Sequence, residues 1–297
     1  MASDDTDQTR TDQLQLQNPV SRYPAIEPPE QTQKEPGLGT EMTPKADIGE
    51  FSYTGTGRLI GRKALVSGGD SGIGAAVAIA FAREGADVAI TYLPDEEKDA
   101  RDVLRILDGT GRKVVGIPGD LKDPDFCVRV VDDAAKQLGG LDILVNNAGK
   151  QVDVSTLEEL SDDQIEQTYQ TNILAMFRTS RAALAHLPAG GTIINTTSVV
   201  AYMPSPTLLD YASTKAAINN FTKGLAQQVA EKGIRVNAVA PGPIWTPLQP
   251  SKGQPTEALP EFGKSTPIGR AGQPTELAPA YVFLASPESS YVLERVS

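Results

Sequence analysis

From Arg58 onward, short runs rich in β-branched residues alternate with longer stretches of helical periodicity. Strands that alternate with helices in this way form a parallel sheet covered by helices on both faces. Near-continuous apolar strands fit that burial. The sequence therefore predicts an α/β fold, a doubly wound, Rossmann-like parallel sheet in one domain over 58–297. The predicted strands are KALVS (63–67), DVAITY (87–92), KVVGI (113–117), DILVN (142–146), GTIINT (191–196) and IRVNAVA (234–240).

Residues 1–57 differ in composition from the rest of the chain. They are rich in Gln, Pro, Asp, Glu and Thr, as in QNPVSRYPAIEPPEQTQKEPGLGTEM. Such a segment buries too little apolar area to offset the entropy lost on ordering. We predict an extended or disordered N-terminal arm. It is either an inert tail or a segment that packs on its own core or on a neighbouring subunit.

Charge and composition exclude several classes of protein. The formal net charge of −11, from 27 basic and 38 acidic residues, argues against a nucleic-acid partner. No apolar run approaches the ~20 residues that span a bilayer, and the N-terminus lacks an apolar signal core. The single cysteine, Cys127, excludes an intrachain disulfide, and the single histidine, His186, has no partner cluster for a metal. We expect a cytoplasmic protein with no metal and no membrane partner.

A glycine-rich loop, SGGDSGIG (67–74), lies between the first predicted strand and the first helix. Gly68, Gly72 and Gly74 follow the spacing G-x-x-x-G-x-G. Glycine permits a tight turn and lets backbone N–H groups approach a pyrophosphate at a helix N-terminus. A glycine cluster alone is a weak signal, but this one stands between a strand and a helix. It predicts dinucleotide binding rather than a purely structural turn.

The segment LLDYASTKAAI (208–218) places Tyr211 and Lys215 four residues apart, on one face of a predicted helix. Lowering a phenol pKa from ~10 to ~7 takes roughly 4 kcal/mol. A cation at ~4 Å supplies a similar amount at an effective dielectric of ~20, whereas burial raises the pKa. We therefore expect the Lys215 ammonium to lower the pKa of Tyr211 and prepare it for proton transfer. The alternative is an ordinary i,i+4 pair of little energetic consequence.

Several motifs in order resemble the short-chain dehydrogenase/reductase family over about 58–292. The glycine motif has Ser67 where the family has Thr, and the arm sequences PGLGTEM and SYTGTGRL resemble the glucose/ribitol dehydrogenase-like branch, which includes aldehyde reductases. The other matching positions are Asn146, Asn147, Ala148 and Gly149 (NNAG), Asn172, Ser198, Tyr211, Lys215, and the pair Pro241 and Gly242.

The resemblance implies an NAD(P)-dependent oxidoreductase that transfers hydride between a nicotinamide cofactor and an aldehyde, ketone, alcohol or polyol. Tyr211 would be the general acid/base, and Ser198 would bind the substrate oxygen. Lys215 would hold the nicotinamide ribose, and Asn172 would complete a water-linked proton relay. The implied cofactor contacts are Gly68, Asp70, Ser71, Gly72, Ile73, Gly74, Tyr92, Asp120, Leu121, Asn147, Ala148, Gly149, Tyr211, Lys215, Pro241, Gly242 and Ile244.

The choice between NAD and NADP depends on charge near the end of the second strand. The sequence there, TYLPDEEKDA, offers neither an acid placed to hold a ribose 2′-hydroxyl nor an arginine for a 2′-phosphate. Asp70 and the acids at 95–97 disfavour a phosphate, so we favour NAD. The Pro- and Gly-rich segment at about 242–270 would form the lid and the substrate wall.

The chain ends SPESSYVLERVS, where the family continues with a glycine and a last strand. We expect a truncated or altered last strand that leaves an exposed sheet edge. This fits either a truncated or frameshifted working enzyme or a functional protein whose homo-oligomer is weakened. A catalytically silent dinucleotide-binding redox sensor is the alternative function. The complete set of Ser198, Tyr211 and Lys215 argues against a sensor.

Overall fold

Six parallel strands form one sheet in the order β3-β2-β1-β4-β5-β6 in a computed structural model that describes residues 15–295. Residues 1–14 of the predicted arm, and 296–297, lie outside the described range. The order reverses direction between β1 and β4, which confirms the predicted doubly wound fold. The strands are β1 (Lys63–Ser67), β2 (Asp87–Tyr92), β3 (Val114–Pro118), β4 (Ile143–Asn146), β5 (Thr192–Thr196) and β6 (Arg235–Val239).

Helices cover both faces of the sheet, as the apolar strands require. One core packs α1, α2 and α7 on the first face. A second core packs α3, α5 and α6 on the other face. The helices are α1 (Gly72–Arg83), α2 (Glu97–Asp108), α3 (Pro124–Leu138), α4 (Asp162–Tyr169), α5 (Ala175–Ala183), α6 (Leu209–Val229) and α7 (Pro274–Ala285).

The helical pattern of DDQIEQTYQTNILAMFRTSRAALAHL (162–187) predicts one long helix, but a π-helical turn at Gln170–Leu174 separates α4 from α5. π-turns of this kind are rare and are frequent at functional sites. The turn contains Asn172, whose side chain is buried against the backbone of the residue that follows the NNAG motif. The irregular backbone therefore places a predicted catalytic residue.

The edge of β6 is less open than the sequence suggests. The Ala238 N–H donates to the carbonyl oxygen of Arg295 at 2.8 Å, and the Glu294 N–H donates to that of Val236 at 3.2 Å. The Asn237 side chain also bonds the backbone of Val292 and Arg295. The prediction of an exposed edge is thus wrong for this part of β6, because the chain after α7 returns along it.

The described part of the arm contacts the body of its own chain. Its end is anchored on Glu84, a buried residue at the C-terminus of α1. The Glu84 carboxylate accepts hydrogen bonds from the Tyr53 hydroxyl at 2.7 Å, the Thr56 N–H at 2.8 Å and the Arg58 N–H at 2.9 Å. Burial alone would raise the pKa of Glu84, but these donors outweigh burial and lower it to about 2.

None of the helices within 15–295 combines the length and the apolar character needed to cross a membrane. Over the same part of the chain, no group of three or more His, Cys, Asp or Glu side chains is arranged to hold a metal ion.

Candidate active site

The glycine loop connects β1 to α1 with its backbone close to neighbouring segments. Gly72 has a φ of +50°, and a Cβ added there would lie 3.1 Å from the Thr246 side chain. A Cβ on Gly74 would lie 1.8 Å from the carbonyl oxygen of Gly68. Ser71, which precedes α1, makes no side-chain capping bond to the helix. The first N–H groups of α1 therefore stand at a helix N-terminus suited to an anion.

The NNAG motif is tied directly to the glycine loop. The Ser67 hydroxyl oxygen accepts hydrogen bonds from the Asn147 N–H at 2.9 Å and the Ala148 N–H at 3.1 Å. The Asn147 side-chain amide donates to the Gly68 carbonyl at 3.2 Å. Ser67 thus supplies the hydroxyl that the family's threonine supplies, and it fixes the ends of β1 and β4 to one another.

Tyr211 and Lys215 lie on one face of α6, as the spacing predicts, and both side chains are buried. The Lys215 Nζ stands 5.2 Å from the centroid of the Tyr211 ring. Its hydrogen bond, at 2.9 Å, goes to the carbonyl oxygen of Thr196 at the end of β5. The ammonium thus faces the ring and the sheet edge.

The pKa of the Tyr211 hydroxyl is raised to about 12, mainly because the residue is buried; a hydrogen bond with Ser198 acts in the lowering direction. Burial lowers the pKa of Lys215 to about 8. The expectation that the ammonium brings the phenol pKa towards neutrality is therefore wrong for the protein chain alone. The phenol stays protonated at neutral pH, which is the state that a proton donor needs.

Ser198 and Asn172 complete the predicted catalytic set around this pair. The Ser198 oxygen accepts a bond from the Val200 N–H at 3.3 Å, so the residue also caps the short turn after β5. The Asn172 oxygen accepts the Lys150 N–H at 2.7 Å, and its amide donates to the Lys150 carbonyl at 2.9 Å. A cavity of about 10 Å³ beside Asn172 is close to the size that holds one water molecule.

The remaining predicted cofactor contacts lie at the carboxyl ends of the strands, where ligands bind in open α/β sheets. Tyr92 is buried at the end of β2. Asp120 and Leu121 follow β3, and the Asp120 carboxylate accepts a hydrogen bond from the Lys122 N–H at 2.8 Å. Pro241, Gly242 and Ile244 follow β6. Asp70 and Ile73 belong to the glycine loop, and Gly149 ends the NNAG motif. A Cβ on Gly149 would lie 3.7 Å from the Lys215 Nζ, so the glycine brings the NNAG backbone against Lys215.

Two residues at this edge were not predicted from the sequence. Thr246 packs against Gly72 and is a hydroxyl that follows the PG turn after β6. Asp99, in the first turn of α2, is buried and accepts hydrogen bonds from the backbone N–H groups of Gly39 and Thr40 in the arm. The position of Thr246 shortly after the PG turn could have indicated a site residue. Asp99, in contrast, resembles any acidic residue in the first turn of a helix.

Three acidic residues near the end of β2, Asp70, Glu96 and Asp99, interact electrostatically. Burial raises the pKa of Asp70 to about 7, and the charge of Asp99 adds to that rise. Burial raises the pKa of Glu96 to about 8, and the charge of Asp70 is the next largest cause. One Asp70 carboxyl oxygen is buried without a hydrogen-bond partner in the structure. The environment therefore favours the neutral forms of Asp70 and Glu96.

The raised pKa values predict that the cofactor-free protein loses stability as the pH rises. Unfolded Asp and Glu titrate near ~4. Between about pH 4 and pH 8 the folded protein therefore binds more protons than the unfolded one, and stability falls with rising pH. For Asp70 the loss between pH 6 and 8 is about 1.4 kcal/mol, or roughly 2 °C in Tm. We expect Asp70→Asn to flatten the Tm–pH slope measured by calorimetry. The exposed Asp95→Asn is the matched control, and equal slopes for both variants would contradict the prediction.

A glycine loop, a buried Ser–Tyr–Lys set and an NNAG segment gathered at the carboxyl edge of a doubly wound sheet define a dinucleotide-dependent oxidoreductase. The family model described as Enoyl-(Acyl carrier protein) reductase matches residues 68–294. The chain belongs to the short-chain dehydrogenase/reductase family, and it is an NAD(P)-dependent oxidoreductase of carbonyl and alcohol groups.

Relatives of this chain carry oxidoreductase names. The NADPH-dependent aldehyde reductase 1, chloroplastic, of Arabidopsis thaliana is 48% identical over 84% of this chain and 88% of its own length. The glucose and ribitol dehydrogenase of Daucus carota is 46% identical over 89% of this chain and 92% of its own length. A short-chain dehydrogenase from Burkholderia cenocepacia J2315, solved in complex with NADP, is 37% identical with a TM-score of 0.75, covering 80% of this chain and 96% of that one.

Proposed function

We propose that Tyr211 is the general acid/base of this oxidoreductase and that Ser198 orients the reacting oxygen. The observation that carries the proposal is the burial of the two hydroxyls within hydrogen-bonding reach of each other, with Lys215 one helical turn away. When bound, a nicotinamide cofactor supplies hydride to a carbonyl carbon or accepts it from an alcohol. Tyr211 then gives its proton to the substrate oxygen, or takes it in oxidation.

The other residues support this proton transfer. The Ser198 hydroxyl donates to the substrate oxygen and stabilises the charge that develops on it. Lys215, held by the Thr196 carbonyl, contributes positive charge when it is protonated, and we assign to it a bond to the nicotinamide ribose. Asn172, whose side chain bonds both backbone groups of Lys150, positions the NNAG backbone beside Lys215. The α1 N-terminus and the glycine loop would hold the pyrophosphate.

The proposal also includes a class of substrate. Relatives named for aldehyde reduction and for glucose and ribitol oxidation support small aldehydes, sugars and polyols. The test is a panel of aldehydes, ketones and sugar alcohols, followed at the absorbance band of the reduced nicotinamide. We expect turnover with at least one aldehyde–alcohol pair in both directions. Cofactor binding without hydride transfer across the whole panel would favour the redox sensor instead.

The preference for NAD(H) stays a proposal, and the comparisons do not support it, since the relatives whose names state a cofactor state NADP or NADPH. What supports it is the charge near the end of β2. A 2′-phosphate there would approach Asp70, Glu96 and Asp99. Two nearby cations are already paired, Lys98 with Glu41 and Arg101 with Glu97.

The cofactor preference can be measured by fluorescence titration with both reduced cofactors. If the carboxyl cluster acts on the 2′ position, NADH binds more tightly than NADPH. At about pH 8, above the raised pKa of Asp70, replacing Asp70 by Asn should then narrow the difference between the two affinities, because it removes a negative charge that opposes the phosphate. Tighter binding of NADPH by the wild type would overturn the preference.

A homo-oligomer and a cytoplasmic location also stay predictions. An apolar patch on the π-turn, α5 and α6 supports self-association: Phe177 and Phe221 pack with ring centroids 4.3 Å apart, and Leu174 and Phe177 are 40% and 49% exposed. Exposed apolar surface of this kind marks interaction sites. Light scattering that shows a monomer at micromolar concentration would contradict self-association.

A further inference from the structure

Residues 31–44, here called the arm segment, run along the lid that follows β6. The Gln33 N–H donates to the Pro250 carbonyl at 2.9 Å, and the Trp245 indole N–H donates to the Pro44 carbonyl at 2.7 Å. A Cβ on Gly37 would lie 2.5 Å from the Pro247 carbonyl oxygen, so the backbone of the arm segment directly contacts the backbone of the lid there. The arm segment is therefore fixed to the lid by backbone contacts along its length.

Glu35 is the charged centre of this contact. One of its carboxyl oxygens pairs with the Lys150 ammonium, and the other lies 3.3 Å from that of Lys252. The Glu35 and Lys150 side chains are 30% and 19% exposed, so solvent screens this pair only in part. A single carboxylate from the arm thus joins two lysines that belong to different parts of the chain.

Lys150 belongs to the catalytic face. It directly follows Gly149, and both of its backbone polar groups bond the Asn172 side chain. A Cβ on Gly149 would lie 3.6 Å from the Asn172 oxygen and 3.7 Å from the Lys215 Nζ. The side chain held by Glu35 therefore extends from backbone that packs against the proposed catalytic residues.

Lys252 belongs to the lid and has a left-handed backbone, with a φ of 74° that is uncommon outside glycine. Its carbonyl accepts the Asp153 N–H at 2.8 Å. The arm, the 152–153 loop and the lid border an open pocket of about 220 Å³, which Thr32, Val152 and Lys252 help to line. The position of Lys252 therefore helps to set the shape of this pocket.

We infer that Glu35 is a positioning residue for the oxidoreductase reaction, which holds the lid against the loop behind Gly149 by bridging Lys150 and Lys252. Without this carboxylate, two ammonium groups face each other across the contact, and the lid opens more often. The inference rests on the proposed function only for its kinetic consequences. It assigns to the N-terminal arm a part in enclosing cofactor and substrate.

The kinetic test is Glu35→Gln in the full-length protein, with Glu30→Gln as the matched control, since Glu30 is an exposed acid of the same arm. We expect the KM values for cofactor and substrate to rise about fivefold, with kcat changed less than about twofold, because lid closure is weakened and the chemical groups stay in place. Added salt should raise the wild-type KM towards that of Glu35→Gln and leave the variant nearly unchanged. Glu35→Asp should recover part of the effect.

A second readout does not depend on activity. We expect trypsin to cut after Lys252 faster when the lid opens more often, because proteolysis needs local opening of the backbone, so cleavage at this bond should be several times faster in Glu35→Gln than in Glu30→Gln. In the Lys252→Gln background, Glu35→Gln should change the KM less than it does alone, because one bridge is already absent.

The inference is overturned if Glu35→Gln keeps the KM values and lid cleavage rate of Glu30→Gln, or if its KM values rise only together with a large fall in Tm. If lid cleavage is faster in Glu35→Gln but neither the wild type nor the variant turns over any substrate, the result supports the lid contact and rejects the proposed function. The two failures are thereby distinguished.

Discussion

Tyr211→Phe is expected to lower kcat about a thousandfold, because it deletes the hydroxyl that we assign to proton transfer and leaves the ring in place. The ring is buried beside the Lys215 ammonium, and phenylalanine keeps its shape and most of its packing. Affinity for the reduced cofactor should stay within about threefold of the wild type. Stopped-flow hydride transfer and cofactor fluorescence titration measure the two quantities separately.

The control for this variant is Tyr169→Phe. Tyr169 also carries a hydroxyl close to α6, 2.9 Å from the Ser213 Oγ, but it stands outside the proposed catalytic set. The control should keep the wild-type kcat. If Tyr211→Phe turns over at a rate near that of Tyr169→Phe, Tyr211 is not the proton donor. If Tyr211→Phe loses both cofactor binding and kcat, the hydroxyl contributes to cofactor binding rather than to proton transfer.

The strand pattern could be predicted closely because it depends on local composition. KALVS and DVAITY coincide with β1 and β2, and the other predicted strands differ from the observed ones by one residue at one or both ends. The π-turn at Gln170–Leu174 could not be predicted, since it accompanies the bonds between Asn172 and the backbone of Lys150, 22 residues away. Periodicity alone describes an uninterrupted helix there.

The electrostatics of the site were predicted less well than its residues. The i,i+4 spacing correctly places Tyr211 and Lys215 on one face of α6. Spacing does not say where the lysine ammonium points, and the hydrogen bond to Thr196 decides that. Burial then dominates the pKa of the phenol, which stays high. The arm contacts of Glu35 and Asp99 were equally beyond prediction, because a segment without periodicity carries no signal for its long-range partners.

Gly74→Ala is expected to weaken cofactor binding at least about a hundredfold, because a displacement of roughly 1 Å in a binding loop can cost that much. The added Cβ would lie 1.8 Å from the Gly68 carbonyl oxygen and 2.6 Å from the Asn147 amide nitrogen. Both atoms belong to the hydrogen bond that ties the NNAG motif to the glycine loop. The methyl group must therefore push α1 away from the end of β1, and the N–H groups to which we assign pyrophosphate binding move with it.

Gly224→Ala is the matched control for this variant. Gly224 lies in α6, and a Cβ there has open space within 4 Å. Alanine in that helix should raise stability by about 0.5–1 kcal/mol and leave cofactor affinity unchanged. Calorimetry would identify a temperature at which both variants are folded, and fluorescence titration there gives the two dissociation constants. Equal dissociation constants would show that the glycine loop is not the cofactor site.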